Sequence, residues 1–488
     1  MQNIPVVKLG LVAVSRDCFP ITLSEKRRAA IAEKCGQKNL EIVEIKTTVE
    51  NEKDMLKAVE ELNANECNAC VVFLGNFGPE TPETLIAKYF DGPCMFVAAA
   101  EGDGDMINGR GDAYCGMLNC SYNLGLRGRA AYIPSYPVGT AAELADKVRE
   151  FVPIARAILG LKGLKVITFG PRPDDFLACN GPIKPLYDLG VAVEENSELD
   201  LLAAYNKHAN DERIPAKVAE MEAELGPDNK YAGILPRLAQ YELTLLDWAE
   251  QHKGTREYVA FAGKCWPAFQ TQFKFVPCYV NSRLTAKGIP VSCEVDIYGA
   301  LSEFIGTLVS NDAVTLLDIN NSVPADMYKE AIEGKFDYTH KDTFLGFHCG
   351  NTASSKLAFC EMKYQKIMAR NLPIECTNGT LEGDIAPGKI TFFRLQSTAD
   401  AQIRAYIAEG EVLDVRTKSF GAIGVFAIPE MGRFYRHVLI ERNYPHHGAV
   451  AFGHFGKALF EVFKYLGVEE VKFNQPKGML YPTENPFA

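Results

Sequence analysis

The sequence predicts an α/β protein: two Rossmann-like parallel-sheet domains followed by a β-rich C-terminal domain. Three observations carry this. Short apolar runs alternate with segments of helical spacing through residues 1–160. The alternation repeats through residues 161–310. Beyond residue 310, strand signals follow one another with only polar or glycine turns between them. A chain of 488 residues accommodates roughly two to four domains of ordinary size.

In the first domain, residues 6–14 are apolar and rich in β-branched side chains. Residues 40–45, 69–74 and 94–99 read as further strands. Residues 23–35, 54–62 and 81–89 have helical spacing, and Thr22 or Ser24 is available to cap the first of these helices. In the second domain, residues 164–169 form a strand bounded by Gly163 and Gly170. Residues 191–193 and 258–262 are the next strands. Helices are expected over 181–189, 214–224 and 235–250, and another closes at 286–289. In the third domain the strands are 314–319, 344–349, 389–395, 403–411 and 422–428. Residues 452–466 return to helical spacing.

Composition removes several classes of function. A formal net charge of -11 repels nucleic acid and anionic membranes unless a basic patch intervenes. The densest basic run, Lys26-Arg27-Arg28, lies in a helical segment and reads as a solvated face. Of the 14 cysteines, only Cys67 and Cys70 form a C-x-x-C pair, and Cys70 opens an apolar run, so a buried strand thiol outweighs a zinc or redox reading. Many free cysteines indicate a reducing compartment, hence the cytoplasm. The N-terminus lacks the pattern of a signal peptide, and no stretch approaches the ~20 apolar residues of a membrane span. The glycine clusters Gly75-Asn-Phe-Gly78 and Gly102-Asp-Gly104 lack the G-x-G-x-x-G spacing of a dinucleotide turn.

The residues suited to chemistry sit at the ends of apolar runs. Glu294 follows Pro290-Val-Ser-Cys293, and a carboxylate at the carboxyl end of an α/β strand faces the usual ligand crevice. Asp318 ends Ala313-Val-Thr-Leu-Leu317. Each is either a strand-end acid touching solvent or an acid paired or bound to metal, since burial alone is costly. Histidine is scarce, with eight in all, yet His446, His447 and His454 cluster in one segment. Proline before the first two and glycine after them suggest an ordered loop. Carboxylates with imidazole suit Mn²⁺, Fe²⁺, Co²⁺ or Zn²⁺. His348, after Phe344-Leu-Gly-Phe347, touches substrate, ligates metal or bonds across a domain interface.

These segments resemble the L-fucose isomerase and L-arabinose isomerase superfamily. Cys293-Glu-Val-Asp-Ile-Tyr-Gly-Ala300 is similar to the family segment holding the first metal carboxylate, which gives that role to Glu294. Asp318 stands where the second carboxylate is expected. His447-Gly-Ala-Val-Ala-Phe-Gly-His454-Phe-Gly456 resembles the family's histidine segment and makes His447 the metal imidazole. Gly111-Asp-Ala-Tyr-Cys-Gly-Met117 and Ala262-Gly-Lys-Cys-Trp-Pro267 also resemble family stretches. The fucose isomerase branch has asparagine where this chain has His446.

The resemblance implies an Mn²⁺-dependent aldose–ketose isomerase, with Co²⁺ or another divalent ion as substitute. Glu294 and Asp318 would shuttle a proton between C2 and C1 through a cis-enediol of a five- or six-carbon sugar of the L-fucose or D-arabinose type. His348 and His446 would orient substrate hydroxyls. It also implies a homo-oligomer, a hexamer, whose active site is completed by a neighbour's first domain. Arg16, Asn76 and Phe77 are candidates for that wall. The competing readings are the same chemistry on an acidic sugar such as sulfoquinovose, with Arg16, Lys264 or Arg283 as anion donors; an aldolase or epimerase using the same metal; and a non-catalytic sugar-binding protein.

Overall fold

The computed structural model describes residues 3–487 apart from 103, 105, 108, 180 and 398–400. Asp103 of the second glycine cluster therefore lies outside the described residues. The chain divides into two compact units: Pro5–Leu159 with Lys464–Gly467, and Gly160–Phe463 with Val468 onward and the N-terminal residues up to Ile4.

The first unit is built on a parallel sheet of β1 (Leu9–Val14), β2 (Val43–Glu44), β3 (Ala69–Leu74), β4 (Cys94–Ala99) and β5 (Val138–Gly139), in the order β2-β1-β3-β4-β5. Strands β1, β3 and β4 are buried at every position, as parallel strands covered on both faces must be. The first helix, Ile21–Gln37, begins after Pro20 with no side-chain cap. The expected caps are corrected here. The helix starts earlier, so Thr22 and Ser24 fall inside its first turn, and the Ser24 hydroxyl donates to the Val14 carbonyl at 2.5 Å.

The second unit holds two sheets. One is parallel: β6 (Leu164–Phe169), β7 (Ala192–Asn196), β8 (Tyr258–Gly263) and β9 (Val291–Cys293), ordered β7-β6-β8-β9. The other is mixed and large: β10 (Val314–Ser322), β11 (Thr343–His348), β12 (Glu361–Tyr364), β13 (Asn378–Asp384), β14 (Gly388–Ser397), β15 (Ile403–Leu413), β16 (Ala422–Ala427), β17 (His447–Phe452) and β18 (Glu470–Phe473). Its order is β12-β13-β16-β11-β10-β17-β14-β15-β18. The architecture is thus two parallel α/β sheets followed by a β-rich sheet. The helix Ile297–Ser310 is buried from Tyr298 to Val309. It is apolar almost all round because it packs on β8 as well as on β14 and β17.

Two local expectations change. His447 does not sit in a loop: it opens β17, a strand buried between β10 and β14. Cross-strand pairing there overrides the turn-forming signals of Pro445 and Gly448. Asp318 does not end its strand either. β10 runs on to Ser322 through a register shift between Ile319 and Asn321. Irregularities of this kind re-aim side chains and gather at functional sites.

Candidate metal centre

Two local devices bring the site together. The first is the turn after β9. Glu294 and Val295 both adopt left-handed backbone, with φ of 60° and 57°. For a β-branched residue such as Val295 this is a strained conformation, costing about 1–3 kcal/mol. The turn re-enters helix at Ile297, and Asp296 caps it by accepting from the Gly299 amide at 2.8 Å. A side chain at Gly299 would meet Asp296 Oδ2 at 2.6 Å, so only glycine leaves room for that carboxylate. The second device is the antiparallel register of β10 and β17, which sets Asp318 directly opposite His447.

The outcome is a close cluster. His447 is fully buried, and its Nε2 lies 3.3 Å from Asp318 Oδ1 and 3.4 Å from Glu294 Oε2. Neither approach is a hydrogen bond of good geometry, so Nε2 is a buried polar atom without a partner. The other ring nitrogen, Nδ1, is 2.8 Å from Asp296 Oδ2. Asp296 is held in turn by Arg394, whose two terminal nitrogens donate to it at 2.8 and 2.9 Å. Both partners of that ion pair are buried. Arg394 also donates to the His447 carbonyl at 3.3 Å.

His446 Nε2 lies 3.8 Å from Asp318 Oδ1 and 3.9 Å from Glu294 Oε2. The His348 ring stands 6.0 Å from that of His447, and its Nδ1 accepts from the Cys349 amide. Cys179 Sγ is 3.8 Å from Glu294 Oε2. Phe176 packs edge-on against both His446 and Trp266.

The electrostatics separate the acids. Burial pushes Glu294 up to about 7, helped by the charges of Asp318 and Asp296. Asp318 is held low despite burial, because the neighbouring histidines favour its charged form. Burial opposes ionisation of Asp296 too, but the Arg394 guanidinium outweighs it and holds the carboxyl well below its usual range. His447 is driven up against the penalty of burial by Asp296 and Asp318. Burial lowers His348 and His446, each to about 4.

These residues fit a divalent cation. The cluster calls for positive charge at Nε2, which a cation supplies as well as a proton does. An imidazole oriented by a buried carboxylate on its far nitrogen is the usual support of a metal-bound histidine. The donor atoms of Asp318, His446 and His447 lie within 4.8 Å of one another, as do those of Cys179, Glu294 and His447.

The remaining candidates have partners of their own. Arg283 is not near this cluster. It is buried, with Nε donating to Glu242 at 2.6 Å, Nη2 to Glu220 at 2.9 Å, and Nη1 paired with Glu224. Three acids occupy its donors, so it has none to offer a substrate. Lys264 lies 3.7 Å from Glu198 Oε2. Arg16, Asn76 and Phe77 form their own group at the ends of β1 and β3. The Arg16 guanidinium lies 4.6 Å over the Phe77 ring, and the Arg16 amide donates to Asn76 Oδ1 at 2.9 Å.

Sequence reasoning did not single out Asp296, Arg394, Cys179 or Phe176. Asp296 was detectable as a second acid two positions from Glu294. Arg394 was detectable as a lone charge inside the apolar run of β14, where it demands a buried partner.

The fold and this carboxylate–imidazole centre define an α/β protein whose buried histidine stands between two acids. Residues 10–162 match the family described as "Fucose/sulfoquinovose isomerase, N-terminal domain", and residues 346–473 match "L-fucose isomerase, C-terminal domain". The chain belongs to the fucose isomerase superfamily. The two matched stretches flank Glu294 and Asp318 and include His348, His446 and His447. A sulfoquinovose isomerase from Priestia megaterium is 23% identical over 334 residues, covering 67% of this chain and 68% of its own. One from Alkalicoccus urumqiensis is 22% identical, covering 68% and 70%. One from Clostridium sp. is 25% identical over 312 residues, covering 62% of each chain. A solved periplasmic solute-binding protein from Actinobacillus succinogenes with bound D-allose is 14% identical and covers 57% of this chain and 82% of its own, but its TM-score of 0.16 carries no argument. Among the described residues, no helix is long and apolar enough to cross a membrane.

Proposed function

We propose that this protein is an aldose–ketose isomerase that depends on a divalent ion, Mn²⁺ by preference, held by Glu294, Asp318 and His447. The observation that carries the reading is the buried, unpartnered Nε2 of His447 between two carboxylates, with its ring fixed from behind by Asp296 and Arg394. Membership of a superfamily of sugar isomerases supports it.

Moving a hydrogen between C2 and C1 needs a base, an acid and stabilisation of the enediol between them. The bound ion supplies Lewis acidity at the substrate oxygens. Glu294 takes the C2 proton as the C1 oxygen gains one, giving a cis-enediol. Loss of the O2 proton with delivery of a proton to C1 completes the ketose, and Asp318 is the second carboxylate of this shuttle. His446 and His348 orient hydroxyls. Phe176 and Trp266 give the site an apolar wall that limits water.

The substrate is a sugar of five or six carbons. The family resemblance alone suggests a neutral one such as L-fucose or D-arabinose. The names of the three relatives favour a second reading, an acidic hexose such as sulfoquinovose. In a homo-oligomer, a hexamer in our reading, Arg16, Asn76 and Phe77 would wall the site of a neighbouring copy.

The test is a screen of neutral and acidic aldoses in deuterium oxide, with and without Mn²⁺. Ketose should form only with the ion and should carry solvent deuterium. Saturable sugar binding without turnover would leave a sugar-binding protein in place of an enzyme.

A further inference from the structure

The helix Ala113–Leu126 in the first unit has two unlike faces. Ala113, Gly116, Met117, Cys120, Asn123 and Leu124 are buried, where the helix packs on β4 and on the helix Glu80–Tyr89. The polar groups on that side are used within the unit. Asn119 and Asn123 donate from Nδ2 to the Glu80 carboxylate at 2.9 and 3.0 Å. Gly116 is used too. A side chain there would meet the Phe77 carbonyl oxygen at 1.9 Å, so only glycine lets the helix approach that turn.

The other face is open. Tyr114, Leu118, Tyr122 and Leu126 are 62, 64, 71 and 70% exposed. Their spacing of four sets them in one continuous ridge along the helix. Exposed Ser121 and Gly125 form the row beside it, so a ridge of large side chains runs next to a groove of small ones. A side chain at Gly125 would meet nothing within 4 Å among the described residues. Glycine in a helix costs about 0.5–1 kcal/mol against alanine, and the packing of this unit gives no reason for it. The helix of 14 residues contains no Asp, Glu, Lys, Arg or His, although charged residues make up 23% of the chain. Interfaces between proteins deplete charge and enrich tyrosine in this way.

The order of the ridge selects the partner. Read backwards, Tyr-Leu-Tyr-Leu becomes Leu-Tyr-Leu-Tyr. Two copies laid antiparallel about a two-fold axis between Leu118 and Tyr122 therefore set every tyrosine against a leucine. Tyr114 meets Leu126 of the second copy, and Leu118 meets Tyr122. A two-fold contact requires such a self-complementary patch, and each ridge finds the other copy's groove. The area agrees. At roughly 200 Å² for a whole side chain, the four leave on the order of 500 Å² open in each copy; a pair buries about 1,000 Å², where specific interfaces begin.

We propose that the helix Ala113–Leu126 is the seam of a two-fold pair of copies, packed antiparallel on the same helix of a second chain, alone or within a larger assembly. The seam uses other side chains than the wall of Arg16, Asn76 and Phe77, and it stands whether or not the protein isomerises sugars.

The test is the mass of the full chain in solution, by sedimentation equilibrium. The unmodified protein should be a multiple of two chains of 53.8 kDa. Leu118→Glu and Tyr122→Glu, made separately, bring like charges together across the axis and should each halve that mass. Both positions are exposed in the single chain; circular dichroism checks its fold, and two variants keep the test open if one fails. Ser121→Cys, in a background where the exposed Cys18 and Cys115 are replaced by serine, should join two chains through a short bismaleimide, because Ser121 lies beside the axis. An unmodified chain that stays single, an unchanged mass in the folded glutamate variants, or a cross-link no faster with Ser121→Cys than without it overturns the seam. Turnover is read in none of these arms, so the isomerase reading stands or falls separately.

Discussion

Two clusters in the second unit each combine histidine with two acids, and they differ in where the arginine stands. At His208, Asp211 and Asp247, the Arg213 guanidinium occupies the middle. It donates to Asp211 at 2.6 and 2.9 Å and to Asp247 at 2.6 and 2.9 Å, while His208 Nε2 sits 3.0 Å from Asp247. At Glu294, Asp318 and His447, the arginine stands behind. Arg394 neutralises Asp296, which no substrate need touch, and leaves the space before His447 Nε2 to the two other carboxylates. Donor atoms of metal-ligating type lie close together in both places. The first cluster already contains its cation. The second keeps its arginine behind Asp296, so composition alone does not tell such clusters apart.

Breaking this contrast is most visible in catalysis. Glu294→Gln should lower turnover by about 10²–10⁴-fold, the range expected for a positioned acid or base, with the Mn²⁺ content measured alongside. Asp247→Asn should leave turnover within about twofold. Appreciable turnover in Glu294→Gln would remove Glu294 as the base.

A second effect is on stability. Arg394→Met strands a buried carboxylate at Asp296 and should cost about 3–5 kcal/mol in denaturant unfolding. Arg213→Gln breaks a pair half open to solvent and should cost under about 1 kcal/mol. Equal losses would show that the two arginines serve alike.

The smallest effect is in acid. Hydrogen bonds from Arg213 hold Asp211 down to about 2, below its unfolded value of about 3.9. A depressed carboxyl stabilises the fold above the unfolded value and loses that contribution as pH falls through the folded one. The stability of the unmodified protein should therefore drop between about pH 4 and pH 2 by a component that Arg213→Gln lacks. Parallel stability profiles in that window would contradict it.

Much of this was legible in the chain. Fully apolar runs at residues 69–74 and 94–99, and a mostly apolar run at 164–169, gave β3, β4 and β6 at their observed bounds, because parallel strands covered on both faces need little partner information to be seen. Glu294 and Asp318 stood out as acids ending apolar runs, and His447 as one of three clustered histidines. What was hidden depends on long-range pairing. β13, with the sequence Asn378-Gly-Thr-Leu-Glu-Gly-Asp384, is broken by glycines and acids and becomes a strand through its neighbours β12 and β16. β17 was obscured in the same way. Arg283 looked like a free donor because its partners, Glu220, Glu224 and Glu242, lie on helices distant along the chain. The Asp296–Arg394 pair joins residues brought together only when the helix Ile297–Ser310 packs on β14.

The most direct test is an anomalous-difference map at the manganese edge from crystals grown with Mn²⁺. One strong peak among Glu294, Asp318 and His447, with none at His208, Asp211 and Asp247, is the predicted result. A peak at the second cluster alone, or no peak at the first in an enzyme that turns over with Mn²⁺, would contradict the account.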